Sequence, residues 1–285
     1  MLNIIANIKS GKGRGLKNVR KIAEYCIAKN IPYSLHVTNK PGHATELTRA
    51  LTEKGGEIAA LGGDGTFHEV LNGIEDIENT TLGFIPSGRG NDFVRAAGCS
   101  LDPIKAVEDI LRGEIRNIDY IDVNGVRCLN VAGTGLDTDV LERVAGKTNK
   151  ISYVVSLIYC LNHFKPYRVT VNVNGERHLF DCIMAGVCNG VAIGGNIRLS
   201  PRSSIEDGKL DVIVMTMPQN GKLMSVLPKF IKGRHMDMEI TKHFVCDEVS
   251  IESDRPIELD GEIYRNLKFD CRVIKGGLKT YKIKS

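Results

Sequence analysis

The residues of this 285-residue chain whose types and spacing suggest chemistry are carboxylates set among glycines, together with one glycine run rich in cations. That run, Asn7-Ile8-Lys9-Ser10-Gly11-Lys12-Gly13-Arg14-Gly15, follows an apolar stretch and precedes a helical pattern. A glycine-rich turn from strand to helix presents backbone N–H groups and a helix N-terminus to a phosphate. It lacks the Gly-Lys-Ser/Thr ending of a Walker A loop and is not Gly-x-Gly-x-x-Gly, so a plain flexible turn competes with that reading. The second cluster, Leu61-Gly62-Gly63-Asp64-Gly65-Thr66-Phe67-His68-Glu69, sits in the same setting and holds Asp64 among glycines with no structural partner evident in the sequence. A capping box accounts for Thr66 and Glu69, three residues apart, but not for three glycines around an acid. The third, Pro86-Ser87-Gly88-Arg89-Gly90-Asn91-Asp92-Phe93, also follows a strand pattern, and Asp92 has a competing reading as a helix cap. Ligands of open α/β sheets bind beyond the carboxyl ends of the strands, so three such turns point to one crevice and favour a nucleotide there.

The second half adds Gly194-Gly195-Asn196, Ser204-Ile205-Glu206-Asp207-Gly208-Lys209 and Asp260-Gly261-Glu262. Asp-Gly is also what an ordinary hairpin turn uses. Two carboxylates flanking one glycine weaken that explanation for Asp260 and Glu262.

The elements that must position these residues change character along the chain. Up to about residue 120, strand patterns at 2–7, 33–38, 57–61 and 81–85 alternate with helical spacing at 16–26, 43–52, 67–71 and 103–111, the last opened by Asp102 and Pro103. Such alternation predicts parallel pairing in a layered α/β sheet. Beyond residue 115, Asn124-Gly125 and Asn174-Gly175 sit between alternating runs, a strong hairpin signal. Further strand patterns at 182–188, 209–216, 248–252, 257–259 and 267–274 predict an antiparallel sandwich or barrel, with helical patterns only near 150–163 and 219–231.

Thirty glycines exceed the roughly twenty of average composition, and the turns above give the surplus a location. The net charge of +4 is too small for a field that would attract nucleic acid, and no nucleic-acid partner is expected. Eight scattered cysteines without Cys-x-x-Cys or zinc spacing, and an N-terminus without a basic leader, predict reduced thiols in a cytoplasmic protein. The longest apolar stretch, 151–161, is short of the ~20 residues a membrane span needs.

The sequence resembles the bacterial diacylglycerol kinase-like lipid kinases, the family with the diacylglycerol kinase catalytic domain that includes sphingosine and ceramide kinases. The motifs that carry the resemblance are Asn7, Ser10 and Gly11; Gly-Gly-Asp-Gly-Thr followed by Glu69, Val70 and Asn72; Pro-x-Gly-x-x-Asn-Asp-Phe; 189–208 with Gly194, Gly195 and Pro201; and Asp260-Gly261-Glu262. Gly-Gly-Asp-Gly alone is shared with NAD kinases and phosphofructokinases. The resemblance implies a three-layer α/β nucleotide-binding domain over 1–120, with 276–285 returning to it, and an antiparallel β-sandwich over 121–275 closing a cleft. It implies ATP contacts at Asn7, Ile8, Lys9, Ser10, Gly11, Thr38, Gly63, Asp64, Gly65, Thr66, Phe67, His68, Glu69 and Arg89. It implies structural Mg²⁺ at Ser204, Asp207 and Lys209, with Ser204 and Lys209 using backbone carbonyls, and catalytic Mg²⁺ and water organised by Asp64, Asp92 and Glu262. At Arg89 the family usually carries a small hydroxyl residue; a guanidinium there either holds a phosphate or crowds the site and alters nucleotide preference.

Phosphoryl transfer needs charge neutralised on the phosphates and an acceptor oxygen placed in line. A lipid alcohol is too weakly acidic to attack unaided, and Glu262, with Asp260 beside it, is the expected base. The expected reaction moves the γ-phosphate of ATP to a lipid hydroxyl, diacylglycerol giving phosphatidic acid, with ceramide-like and glycolipid alcohols open. The expected partners are a lipid at a membrane surface, touched from the inner face, and a second copy of the chain. The segments at 151–161 and 223–231 are candidates for lipid contact beside their reading as core helices. NAD kinase-like phosphotransfer, and a nucleotide-binding module without catalysis, are the alternatives.

Overall fold

The structure, a computed structural model, describes residues 1–144, 150–218, 223 and 226–283. The described chain divides into two compact units, residues 1–120, 205–207 and 274–285 forming one and 121–204 and 208–273 the other.

In the first unit, β1 (Leu2–Ala6), β2 (Tyr33–Val37), β3 (Gly56–Gly62) and β4 (Thr80–Pro86) pair in parallel in the order β2-β1-β3-β4. Every residue of β4 and the last five of β3 are buried, which is why both read as continuous apolar runs. On β1, Leu2, Ile4 and Ala6 face a core shared with Ile22 and Cys26 of α1 (Ser10–Ala28) and Val107 of α5 (Pro103–Arg112). Ile5 is also fully buried, and strand alternation puts it on the opposite face, so the sheet is covered on both sides. The remaining helices are α2 (His43–Leu51), α3 (Asp64–Gly73) and α4 (Asp92–Ala96). Asp102 caps α5 as its position predicts, its Oδ1 accepting from Ile104 N and Lys105 N at 2.9 and 3.1 Å.

The second unit is built on β9 (Glu176–Cys188). Its first half pairs with β8 (Tyr167–Val173), and its second half pairs with β7 (Val131–Gly135) and with β10 (Leu210–Thr216), all antiparallel. The series extends from β7 to β13 (Ile257–Leu259) and β14 (Glu262–Tyr264), and from β8 to β12 (Glu248–Glu252) and β15 (Phe269–Tyr281). On β10 lies β11 (Thr241–Cys246), and β5 (Ile115–Val123) folds back as β6 (Val126–Cys128). Both Asn-Gly turns make the expected hairpins, with φ of +48° and +86° at Asn124 and Gly125 and +53° and +78° at Asn174 and Gly175. A valine-rich core including Val169, Val171, Val187 and Val212 fills the interior. The helices are α6 (Leu136–Val144), α7 (Lys150–His163) and α8 (Leu227–Ile231).

Three expectations need correction. The strand expected over 267–274 runs on to Tyr281, its end pairing in parallel with β4 at Lys279 and Thr81. Gly277 marks a close approach within the strand: a Cβ there would lie 2.7 Å from the Tyr120 ring. Helix α6 follows Gly133-Thr134-Gly135 directly, and those glycines hide its start. Of the helix expected over 219–231, residues 219–222 and 224–225 lie outside the described residues, and the described helix is Leu227–Ile231. Among the described residues no helix is long and apolar enough to cross a membrane.

Candidate nucleotide and catalytic site

The three glycine turns of the first unit are bonded to one another. Asn7 Nδ2 donates to Thr66 Oγ1 at 3.1 Å, joining the turn after β1 to the turn after β3. Ser10 Oγ donates to Asn7 O at 2.8 Å and meets Ser87 Oγ, and the Arg14 guanidinium reaches Gly88 O, joining the first turn to the third. The N–H groups of Ser87 and Gly88 donate to Gly62 O at 2.7 and 3.0 Å. Backbone meets backbone at the centre: a Cβ on Gly88 would lie 2.4 Å from Gly63 Cα, and one on Gly63 would lie 2.9 Å from Gly88 Cα. Only glycine permits this approach.

Asp64 has the structural partners that the sequence conceals. Its Oδ2 accepts from Asn91 N at 3.0 Å and its Oδ1 from Phe93 N at 3.3 Å, so a carboxylate from one turn caps the helix that follows another. Helix α4 has no side-chain cap of its own, its preceding residue Asn91 being left-handed at φ +52°. Asp92 is therefore not the cap. A Cβ on Gly90 would lie 3.1 Å from Asp92 Oδ2 and 3.3 Å from Asp64 Oδ2, so both carboxylates flank that glycine. Asn91 Oδ1 is sealed from solvent with no hydrogen-bond partner. The capping box is corrected as well: Glu69 Oε2 accepts from Ala44 N in the first turn of α2 at 3.1 Å, while Thr66 serves Asn7.

The remaining nucleotide candidates divide by where they face. Lys9 and Arg89 are exposed, Ile8, Gly11, Gly63 and Gly65 are half-buried, and Thr38 is buried just beyond β2 with its N–H on Ala6 O at 2.9 Å. The Phe67 ring is fully buried, edge-on to Phe84 at 5.3 Å, and its N–H is taken by Gly63 O. His68 is buried against Asn72. The helix start at Asp64, Gly65 and Thr66 is where α3 offers N–H groups to an anion.

In the second unit, Asp260 and Gly261 form a left-handed turn at φ +53° and +92° between β13 and β14, with Leu259 opposite Glu262. The Asp260 carboxylate accepts from Leu129 N at 2.9 Å and Asn130 N at 2.8 Å, and the Cys128 thiol donates to it at 3.3 Å. Burial, then Asp260, pushes that thiol well above its ordinary pKa. Asp260 thus anchors the turn, and Glu262 stands exposed on it. Ser204, Asp207 and Lys209 are exposed; Asp207 groups with the first unit and the other two with the second. Lys209 Nζ pairs with Asp247 at 2.6 Å. Among the described residues no three His, Cys, Asp or Glu side chains gather as a metal site.

One acid was passed over in the sequence. Asp119 on β5 is buried, its Oδ1 accepting from Gly276 N at 2.6 Å and its N–H donating to Ile205 O at 2.7 Å. An acid between the apolar residues Ile118 and Tyr120 in a buried strand was the available signal.

Residues 1–123 match the family model described as "Diacylglycerol kinase catalytic domain", and residues 130–281 match "YegS C-terminal NAD kinase beta sandwich-like domain". The chain is 29% identical over 271 residues to the diacylglycerol kinase of Bacillus subtilis, covering 91% of this chain and 88% of that one. It is 28% identical to a Stenotrophomonas maltophilia protein named "Probable lipid kinase YegS-like", covering 96% and 94%. A Bacillus anthracis crystal structure described as a diacylglycerol kinase superposes with a TM-score of 0.80 at 25% identity, over 99% of this chain and 96% of that one. An Archaeoglobus fulgidus NAD kinase in complex with ATP, at 12% identity and a TM-score of 0.55 over 100% and 94%, shares the fold. With an α/β domain of NAD kinase-like fold followed by an antiparallel β-sandwich, the chain belongs to the diacylglycerol kinase and YegS lipid kinase family.

Proposed function

We propose that the protein is an ATP- and Mg²⁺-dependent lipid kinase that transfers the γ-phosphate to a lipid hydroxyl, with diacylglycerol as acceptor and phosphatidic acid as product. The observation that carries this reading is the meeting of three glycine turns at Gly63 and Gly88, with Asp64 and Asp92 flanking Gly90. The names of the B. subtilis and B. anthracis relatives support the acceptor.

The residues fit the groups the reaction needs. The Lys9 ammonium, the turn at Gly11 and the start of α3 offer donors to phosphate oxygens, with Asn7 and Ser10 holding that turn through their own bonds, and the unpartnered Asn91 Oδ1 fits a ligand's donor. The Asp64 oxygens accept from Asn91 N and Phe93 N, and Asp64 and Asp92 flank Gly90 together, a pair of carboxylates that suits water-mediated hold of Mg²⁺. The resemblance assigns structural Mg²⁺ to Asp207 and the backbone carbonyls of Ser204 and Lys209, and oxygen donors are what hard cations take. Bound Mg²⁺ supplies positive charge against the phosphate oxygens. Glu262 takes the proton of the acceptor hydroxyl as it attacks. Arg89 and Lys9, both exposed, neutralise charge on the nucleotide. The exposed Val155, Ile158 and Tyr159 of α7 support contact with a lipid surface.

The test is transfer of labelled γ-phosphate to a panel of diacylglycerol, ceramide, glycolipid and NAD in mixed micelles, with and without Mg²⁺. Labelled phosphatidic acid is the expected product. Label in NAD alone favours the second reading, which the fold shared with NAD kinase supports, and no label in any acceptor by folded protein overturns the proposal.

A further inference from the structure

Beneath the turn that carries Glu262 lies a pair of acids that the reaction above does not use. Glu258 of β13 is buried, and its Oε2 accepts from Gly261 N at 2.7 Å, so it grips the middle residue of the Asp260-Gly261-Glu262 turn. Its other oxygen turns toward Asp137 of α6. A Cβ on Gly133 would lie 2.1 Å from Asp137 Oδ2 and 3.1 Å from Glu258 Oε1, so the two carboxyl groups converge over one glycine. Asp137 Oδ1 accepts from Thr138 N at 2.9 Å, while Oδ2 is sealed from solvent with no partner. Two ionised carboxylates do not share such a space, whereas one proton between them satisfies both oxygens.

We propose that Asp137 and Glu258 share one proton, and that this proton, by holding Glu258 on Gly261, fixes the turn that presents Glu262. Glu258 is then a positioning residue, a role that rests on the lipid-kinase reading.

The charges around the pair agree. Asp139 on α6 is held by Arg255, whose Nη1 donates to both its oxygens at 2.9 and 2.7 Å. Tyr167 of β8, Cys182 and Cys188 of β9 and Cys128 of β6 face the pair from the sheet, Asp260 and Glu262 from the turn, and Cys160 of α7 faces Asp139. Burial pushes Asp137 up to about 7, and burial with Asp137 beside it raises Glu258 well above the carboxylate range. A group whose folded pKa is raised stabilises fully below its unfolded value, roughly 4, and loses that contribution as pH rises through the folded one. Melting temperature is therefore expected to fall from acid pH through about 7 and beyond.

The experiment compares wild type with Glu258→Gln, Glu258→Ala and Asp137→Asn by melting against pH and by kinase kinetics on mixed micelles. Glutamine donates an N–H to Asp137 and accepts from Gly261, so Glu258→Gln is expected to keep wild-type kcat. Glu258→Ala is expected to lower kcat by about 10-fold to 100-fold with KM for ATP unchanged, the cost of a misplaced reacting group. The neutral pH limb of melting should flatten in Asp137→Asn and Glu258→Gln. Unchanged pH dependence in both amide variants overturns the shared proton; unchanged kcat in Glu258→Ala, or equal loss in Glu258→Gln, overturns the positioning role. A wild type that phosphorylates no lipid overturns the kinase reading and the positioning role with it, while the melting series still decides the shared proton.

Discussion

Replacing Asp64 by asparagine tests stability and chemistry together, because this carboxylate caps a helix in the structure and carries a catalytic role in the proposed reaction. Its two oxygens receive the N–H groups of Asn91 and Phe93, which start α4. Asparagine keeps one acceptor oxygen, loses the charge on that bond, and turns an NH₂ toward the other N–H. A hydrogen bond to a charged group is worth about 1.5–3 kcal/mol, so losing one and weakening the other costs about 2–4 kcal/mol. For a unit of this size that corresponds to a melting shift on the order of 10 °C, read by scanning calorimetry. If Asp64 also organises charge at the phosphates, kcat should fall by about 100-fold or more beyond any loss of folded protein. Asp64→Ala, which leaves both N–H groups without the carboxylate, should melt lower still. An asparagine variant that melts like wild type refutes the cap; one that melts lower yet keeps full kcat refutes the catalytic role.

Three further outcomes are expected. Gly88→Ala drives a methyl to within 2.4 Å of Gly63 Cα and should destabilise by about 1–3 kcal/mol while abolishing ATP binding measured by calorimetry. Asp102→Ala, which removes the cap on α5, should cost about 1 kcal/mol in denaturant titration and leave kcat unchanged. The thiols should resist an aromatic disulfide reagent at mildly alkaline pH until the protein is unfolded, because burial pushes Cys182 up to about 12 and Cys246 and Cys99 up to about 11.

Much of the architecture was legible because local chemistry and tertiary structure agree. The apolar runs of β3 and β4, the Asp102-Pro103 start of α5 and the two Asn-Gly hairpins each needed only neighbours in sequence. The site was legible as a set of turns but not as a set of bonds. Asp64 looked free of structural work because its partners, Asn91 and Phe93, lie 27 and 29 positions away. Glu69 looked like half of a local capping box, and its real partner at Ala44 lies 25 positions away. Asp137 and Glu258 gave no local signal, since each is an ordinary acid until the fold brings both over Gly133. The pattern at 267–274 stops short of the strand's end at Tyr281, because Gly276-Gly277 carries no apolar signal and serves close packing against Tyr120.

Strand β15 bears on how the chain reaches this structure as it is synthesised. Thr280 Oγ1 donates to Leu82 O at 2.7 Å across 198 positions, and Lys279 pairs with Thr81. Until that strand emerges from the ribosome, β4 is an open edge of apolar sequence, the kind of surface that recruits other strands. The first unit therefore completes its sheet only after nearly all of the second unit has been made. A nascent chain stalled before residue 269 should lean on chaperones, and residues 1–120 made alone should aggregate where the full chain does not.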